Sequence, residues 1–175
     1  MDSRPLVECS DHARHHEVII KVSLSHEHAQ RLVADVQAEY VVRYGGEDAT
    51  PLDPTEFEPP QGAFFVAYRD GEPVATGAWR RRDDVEVFGT RRTAEVKRMY
   101  VAPAARGLGV ARRMLARLEE AAAAADAEAM ILETGTAQPE AMALYESSGY
   151  ARIENFGHYK WSPQNRCYGK LLRVP

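Results

Sequence analysis

The chain has 175 residues, of which 45% are hydrophobic and 27% charged, a composition typical of one globular domain. Its formal net charge of −4 provides no basic excess for binding a phosphate backbone, which excludes nucleic acid as a ligand, and no apolar run approaches the roughly 20 residues of a membrane span. The cysteines lack paired spacing and the first ten residues lack an apolar stretch, so we expect a cytoplasmic protein without a disulfide framework or signal peptide.

The first half of the chain is predicted to contain a strand, a helix and a three-stranded meander. Residues 1–16 carry charged and histidine side chains without an apolar period and are predicted to form a loosely packed arm, which leaves residues 17–175 as a single domain. The β-branched run 17–24 predicts a strand, and a helix is expected to follow from an N-cap at Ser25 and to end before Gly45. The meander strands are expected at residues 63–68, 74–79 and 95–101.

Polar segments connect these elements. Prolines among acidic residues in the segment 47–61 exclude long regular structure and predict a loop or a short helical turn. The dipeptide Asp70-Gly71, between the first two meander strands, predicts a tight hairpin turn because it tolerates positive φ. The charged stretch 80–92, between the second and third meander strands, is predicted to be a solvated hairpin end.

The second half of the chain alternates helices and strands. Apolar residues recur at steps of three and four residues, which predicts an amphipathic helix: Val110, Met114, Leu118, Ala121 or Ala122, and Ala125. A buried strand is expected at residues 130–132, a second helix at 139–148, and a final pair of strands at 150–156 and 166–174. The resulting order, β-α-β-β-β-α-β-α-β-β, belongs to the α+β class.

The most informative segment is residues 106–111, Arg-Gly-Leu-Gly-Val-Ala, which lies between the third meander strand and the amphipathic helix. The first turn of a helix leaves backbone N–H groups without partners and carries the positive end of the dipole, so glycines there allow a diphosphate to approach closely. Two glycines alone would also suit an ordinary tight turn. A dinucleotide-binding fold is disfavoured, because it requires three glycines and repeated βαβ units.

The sequence resembles the GNAT superfamily of acyl-CoA-dependent N-acyltransferases. Residues 106–111 match the R/Q-x-x-G-x-G/A loop of that family, residues 95–103 resemble its fourth strand with a V-x-P exit, and residues 141–150 resemble its A-x-x-L-Y-x-x-x-G-F/Y element. The resemblance extends from residue 17 to the C-terminus. It implies a mixed, mostly antiparallel central sheet of about seven strands flanked by helices, with a cleft where the fourth and fifth strands separate.

The resemblance also implies an N-acetyltransferase with acetyl-CoA as co-substrate. The backbone of Met99 and Val101 is then expected to pair with the pantetheine arm, and one of these N–H groups can stabilise the oxyanion. Gln138 stands where many relatives have asparagine, seven residues before the motif tyrosine. The residues expected to bind the cofactor are Met99, Tyr100, Val101, Arg106, Gly107, Leu108, Gly109, Val110, Ala111, Gln138 and Tyr145.

The reaction requires a base, because an alkylamine with a pKa of about 10.4 is protonated at neutral pH. Glu95 matches a strand position that holds a catalytic carboxylate in some relatives, although a solitary strand glutamate is more often a surface or ion-pair residue. Glu133 is the competing candidate and otherwise lines the substrate pocket. Tyr145 matches the residue that protonates the departing thiolate, while its spacing alone would suit a core tyrosine.

The acceptor is expected to be a primary amine of a small molecule or peptide. Glu56 and the other acidic residues of the segment 47–61 suit a cationic acceptor, or simply a solvated loop, and Tyr159 is expected on the opposite wall. A non-catalytic acyl-CoA sensor and a transferase of longer acyl groups are the alternatives. The resemblance allows a homodimer, and no metal site is expected from the histidines of the arm.

Overall fold

The computed structural model describes residues 16–50 and 53–172, which contain one mixed sheet and the helices that cover it. The strands are β1 (Glu17–Val22), β2 (Gly62–Arg69), β3 (Glu72–Arg81), β4 (Thr93–Val101), β5 (Ala129–Gly135), β6 (Ala151–Arg152) and β7 (Asn165–Leu171). The α-helices are α1 (Glu27–Tyr44), α2 (Val110–Ala123) and α3 (Pro139–Ser147), and short 3₁₀ helices cover Pro54–Phe57 and Pro103–Ala105.

The strand order across the described sheet is β1-β2-β3-β4-β5-β7-β6. Every neighbouring pair is antiparallel except β4 and β5, which are parallel. The predicted fold class, sheet type and order of elements are therefore confirmed. No helix in the described part of the chain is long and apolar enough to cross a bilayer.

The N-terminal elements follow the sequence pattern with one error at the helix start. Asp70 and Gly71 form the β2–β3 turn with φ of 52° and 86°, as predicted. Helix α1 ends as expected at Gly45, whose φ is 78°, but its N-cap is His26, whose side chain accepts from the His28 N–H at 3.2 Å. The prediction of Ser25 was wrong: its hydroxyl bonds that of Ser23 instead.

The predicted arm meets the sheet at its last residue. His16 donates its N–H to the Asp70 carboxylate at 3.0 Å and accepts from the Asp70 N–H at 2.9 Å, which continues the pairing of β1 with β2. The other residues of the predicted arm, 1–15, lie outside the described residues.

The two faces of the sheet carry separate cores. On one face, α2 buries Met114, Leu115 and Leu118, as its apolar period predicts. The helix lies so close to β3 that a Cβ on Gly77 would approach the Met114 Cγ to 2.8 Å. On the opposite face, α1 buries Ala29, Leu32 and Val36. Helices on both faces hold the centre of the sheet rigidly, which matters for the site built there.

Strands β4 and β5 separate after a short paired segment. They pair only from Thr93↔Ala129 to Glu95↔Ile131, although β4 runs on to Val101 and β5 to Gly135. A bulge bends β4 where they part: Arg98 has a φ of 52° and the register against β3 shifts there. The Thr76 hydroxyl fixes the bulge by donating to the Arg98 carbonyl at 2.8 Å. The separation leaves a gap in the middle of the sheet.

Two predictions about where strands end were wrong. The stretch 80–92 is not simply solvated, because β3 continues to Arg81 and Arg80 is only 7% exposed. An ion pair with Glu95 on β4 stabilises Arg80 in this buried position. The expected strand at 150–156 shrinks to Ala151–Arg152, since the chain then leaves β7 for an irregular segment.

Candidate active site

The gap between β4 and β5 opens into adjoining cavities. The β5-side cavity has a volume of about 340 Å³ and is lined by β4, β5, the end of α1 and the segment before β7. The α2-side cavity has a volume of about 390 Å³ and is lined by β4, the start of α2 and α3. Met99, Gln138, Ala141 and Tyr145 line both cavities, so the two spaces meet at these residues.

The start of α2 presents unpaired backbone donors to the α2-side cavity. The first backbone bond of this helix runs from the Arg113 N–H to the Gly109 carbonyl, so Val110, Ala111 and Arg112 have N–H groups without an acceptor in the described chain. Gly107 and Gly109 both have φ of 76°, and a Cβ on Gly107 would meet nothing within 4 Å. This turn fits the diphosphate of a CoA molecule, because the open space lies beside positive backbone groups.

Arg106 braces the wall of the same cavity. Its Nε donates to the Val101 carbonyl at 2.9 Å, and its Nη2 donates to Glu39 on α1 at 2.5 Å. The guanidinium also lies 5.8 Å from the centre of the Tyr100 ring. Arg106 therefore links the end of β4 to α1, and its positive charge lies next to the turn at Gly107.

Tyr145 occupies the junction of the cavities. Its side chain is 5% exposed and packs against the rings of Tyr150 and Tyr168, with centroids 5.8 and 6.3 Å away. Burial raises the pKa of Tyr145 well above its ordinary value. Within the described residues its hydroxyl has no hydrogen-bond partner, so this donor is available to a molecule that enters the junction.

Gln138 also lies at the junction, just before α3. Its Oε1 accepts from the Tyr44 hydroxyl at 3.2 Å and from Thr134 at 3.4 Å. The amide oxygen is thus held by α1 and β5, which leaves the amide nitrogen as the free donor.

Glu133 lies on β5 inside the β5-side cavity. Asn165 on β7 donates to its Oε1 at 3.2 Å. Burial, followed by the nearby charge of Glu95, raises the pKa of this carboxyl, while Lys97 and the bond from Asn165 oppose the rise. A carboxylate with a raised pKa is a stronger base, so Glu133 has the character that proton abstraction requires.

Glu95 is enclosed away from both cavities. Its side chain is fully buried, and its Oε2 accepts from the Nε of Arg80 at 2.9 Å and from Nη1 of Arg82 at 2.6 Å. Arg80 also binds Glu56 at 2.7 Å. Glu95 lines neither cavity, so the structure assigns it to an ion cluster that joins β3 to β4.

The ion cluster around Glu95 predicts that substitution of this residue lowers the stability of the protein. Replacing Glu95 with glutamine removes the buried negative charge that Arg80 and Arg82 share, which is expected to lower the free energy of unfolding by about 3 kcal/mol in urea titrations. The arginines then keep only their more exposed partners, Glu56 and Asp84. The matched control is Glu86→Gln, which removes the partner of Arg91 in an exposed pair at 3.2 Å and is expected to cost less than about 1 kcal/mol. A Glu95→Gln variant with unchanged stability but severely reduced kcat would instead support the base role.

The acidic segment before β2 reaches the site through Glu47 and Asp48, which both line the β5-side cavity. Asp48 lines the β5-side cavity and forms an ion pair with Arg98, while the hydroxyl of Tyr159 donates to the Asp48 carboxylate at 3.2 Å. Burial would raise the pKa of Asp48, but the charge of Lys97, the hydrogen bonds from Thr50 and the charge of Arg98 lower it to about 2. Glu56 lies outside the cavity, paired with Arg80, so it does not form the expected acceptor wall.

The structure brings most sequence-predicted site residues together. The α2-side cavity collects the predicted cofactor residues except Leu108, whose side chain is 44% exposed. The β5-side cavity includes Glu133 and Tyr159 but neither Glu56 nor Glu95. Sequence reasoning missed several lining residues, which are Tyr44, Lys97, Arg98 and Asn165. Charged residues in a strand that is otherwise apolar were the available signal for Lys97 and Arg98.

Comparison with known proteins agrees with this architecture. The model of the Acetyltransferase (GNAT) family matches residues 29–150. An IAA acetyltransferase of Azospirillum brasilense is 38% identical over 129 residues, or 74% of this chain and 80% of that protein. The N-acetylaspartate synthetase of Homo sapiens is 30% identical over 112 residues, and the match spans 64% of this chain and 35% of that protein.

A solved structure supports the same relationship. A protein of Klebsiella pneumoniae subsp. pneumoniae MGH 78578, described as an acyl-CoA N-acyltransferase, superposes with a TM-score of 0.72 at 26% identity. The superposition covers 90% of this chain and 98% of that one. The similarity therefore includes almost the whole sheet and the helices that line the cavities.

Proposed function

Since the chain belongs to the GNAT family of acetyltransferases, we propose that it transfers the acetyl group of acetyl-CoA to a primary amine of a small molecule. The observation that carries the proposal is the junction at Tyr145, where a cavity with open backbone donors meets a second cavity that contains the partly buried carboxylate of Glu133. A thioester in the first cavity and an amine in the second would meet at this junction.

The α2-side cavity is the proposed site for acetyl-CoA. The N–H groups at the start of α2 would bind the diphosphate, and the turn at Gly107 and Gly109 leaves room for it. Beyond Glu95, the edge of β4 that faces β5 is unpaired, so the backbone around Met99 is free to bond the pantetheine arm. Acetyl-CoA supplies the thioester carbonyl that the amine attacks.

In this proposal Glu133 accepts the proton of the amine, and Tyr145 donates a proton to the leaving sulfur. The Glu133 carboxylate takes a proton from the amine, directly or through water, as the amine nitrogen forms its bond to the carbonyl carbon. When the carbon–sulfur bond breaks, the Tyr145 hydroxyl gives its proton to the departing sulfur, which releases the free thiol of CoA. Solvent then restores Tyr145 and removes the proton from Glu133, so both residues return to their starting states.

The size of the β5-side cavity supports a small acceptor. Its volume of about 340 Å³ lies near the lower limit for pockets that bind small molecules, roughly 300 to 1,000 Å³. Among the relatives, the name N-acetylaspartate synthetase describes a protein that makes an acetylated amino acid. An acceptor of similar size would fit this chain.

Cofactor binding provides the first test. Gly107→Ala places a methyl group in the space proposed for the diphosphate and strains a residue at φ 76°, so the Kd for acetyl-CoA in calorimetry is expected to rise about tenfold or more. Gly71→Ala is the matched control, because Gly71 has a φ of 86° and equally open surroundings in the β2–β3 turn. Equal effects of both variants on the Kd would contradict the proposed diphosphate site.

Thiol release separates the transferase from its alternatives. Purified protein, acetyl-CoA and a panel of amines are expected to release free CoA, with lower rates for propionyl-CoA and succinyl-CoA. Binding of acetyl-CoA without turnover of any acceptor would favour a non-catalytic sensor. A faster reaction with a longer acyl-CoA would retain the enzyme class and change the donor.

A further inference from the structure

Lys97 is a buried cation whose ammonium group lies near two carboxylates without a hydrogen bond to either. Its side chain is 8% exposed and lines the β5-side cavity. The ammonium lies 3.8 Å from a Glu95 oxygen and 4.0 Å from an Asp48 oxygen, and it makes no hydrogen bond within the described residues. A lysine ammonium can donate three hydrogen bonds, and burying it without any is costly.

Each carboxylate near Lys97 also has an arginine partner, although the Glu95 Oε1 that lies nearest the ammonium accepts no hydrogen bond within the described residues. Glu95 accepts from Arg80 and Arg82 through Oε2. Asp48 forms its ion pair with Arg98, and its Oδ1 accepts from the Thr50 N–H at 2.9 Å. The Lys97 ammonium therefore has hydrogen-bond donors that neither carboxylate fills, and the side chain lines the cavity that the acceptor would occupy.

This inference rests on the proposed function and names its acceptor class: we propose that the acceptor carries a carboxylate beside its amine, and that the Lys97 ammonium binds this carboxylate in the β5-side cavity. An α-amino acid is the simplest such molecule. Its carboxylate would supply the acceptor oxygens that Lys97 lacks, and its amine would lie toward Glu133 and Tyr145.

The charged residues that line the cavity favour an acceptor that carries both a positive and a negative group. Lys97 and Arg98 are both buried cations of the β4 wall, so a polyamine would place further positive charge beside them. Lys97 and the proposed base Glu133 both line the β5-side cavity, so one small molecule can reach both. An amine and a carboxylate on one small molecule match this pair of opposite charges.

Matched acceptors provide the test. Each L-amino acid is compared with the amine left after removal of its carboxyl group: L-leucine with 3-methylbutylamine, L-phenylalanine with 2-phenylethylamine, and L-lysine with 1,5-diaminopentane. Rates of CoA release are measured at equal concentrations of unprotonated amine, which removes the difference in basicity. The kcat/KM for the amino acid is expected to exceed that for its partner by about tenfold or more.

Variants then assign the preference to Lys97. In Lys97→Gln the ratio of kcat/KM within each pair is expected to fall toward one, and Lys97→Arg is expected to restore part of it. Lys21→Gln, which changes an exposed lysine on β1, keeps the ratio of the wild type. A purely structural role for Lys97 would lower both members of a pair equally, and that result overturns the inference.

Other outcomes distinguish this inference from the proposed function. Amines without a carboxylate that react as well as the amino acids overturn the acceptor class and leave the transferase intact. Acetyl-CoA that binds in calorimetry without acetylation of any amino acid in the panel has the same consequence for the acceptor class. Absence of acetyl-CoA binding overturns the proposed function itself.

Discussion

Replacing Glu133 with glutamine is expected to lower kcat by about 100-fold or more, because the variant keeps the shape of the side chain and loses its ability to accept a proton. The hydrogen bond from Asn165 to Oε1 can persist, since a glutamine oxygen accepts it equally well. The acetyl-CoA Kd is expected to stay unchanged, because Glu133 does not line the α2-side cavity. Single-turnover measurements of acetyl transfer isolate this chemical step.

The pH dependence of the wild type follows from the same residue. Burial and the charge of Glu95 raise the pKa of Glu133, so the carboxyl remains protonated to a higher pH than an ordinary glutamate. Only the ionised form acts as a base, and kcat is therefore expected to decline as the pH falls through this raised pKa. In Glu133→Gln this acid limb should disappear, together with most of the activity.

Stability separates this role from a structural one. A carboxyl whose pKa is higher in the folded than in the unfolded chain subtracts stability at pH values above that pKa. Glutamine removes this penalty, so Glu133→Gln should not lower the free energy of unfolding at neutral pH. Glu120→Gln, at an exposed glutamate of α2, is the control for loss of a negative charge. A Glu133 variant that retains full kcat would exclude this residue as the base.

The sequence could predict those features of the fold that depend on a local pattern of residues. The apolar period of α2 and the two glycines before it, Gly107 and Gly109, are local features of the sequence, so they predicted the helix and the turn that precedes it. The position of Tyr145 followed from a short motif. Its placement at the junction of the cavities required only that α3 pack beside β4 and β5, which the family resemblance implies.

The identity of the catalytic base was harder to predict, because it depends on contacts with residues that are distant in the sequence. Glu95 and Glu133 are both strand glutamates, and their sequences do not say which one meets arginines. The partners of Glu95 are Arg80 on β3 and Arg82 just after it, 15 and 13 residues away. The proposed role of Lys97 could not be predicted from the sequence either, because it depends on the arginines that Glu95 and Asp48 bind in the fold. Side-chain pairing across strands determines which charges remain free for a ligand.

Tyr145→Phe is the second variant with a large expected effect, a decrease of about 100-fold in kcat for acetyl transfer. The phenyl ring keeps the packing against Tyr150 and Tyr168, and the lost hydroxyl has no partner in the described chain. Removing it therefore leaves no buried polar group unsatisfied, and the free energy of unfolding should not fall. Because the pKa of Tyr145 is raised, its hydroxyl stays protonated throughout the neutral range and contributes no alkaline limb.

Tyr150→Phe is the matched control, since this neighbouring tyrosine lines neither cavity and donates to Glu119 at 3.0 Å. It removes a hydrogen bond to a partly buried carboxylate, so it is expected to lower stability by about 1 to 3 kcal/mol and to leave kcat nearly unchanged. Opposite responses of two adjacent tyrosines would separate proton donation from packing. If Tyr145→Phe retained full kcat, the thiolate would leave without help from this hydroxyl, and the junction would serve only to bring the two substrates together.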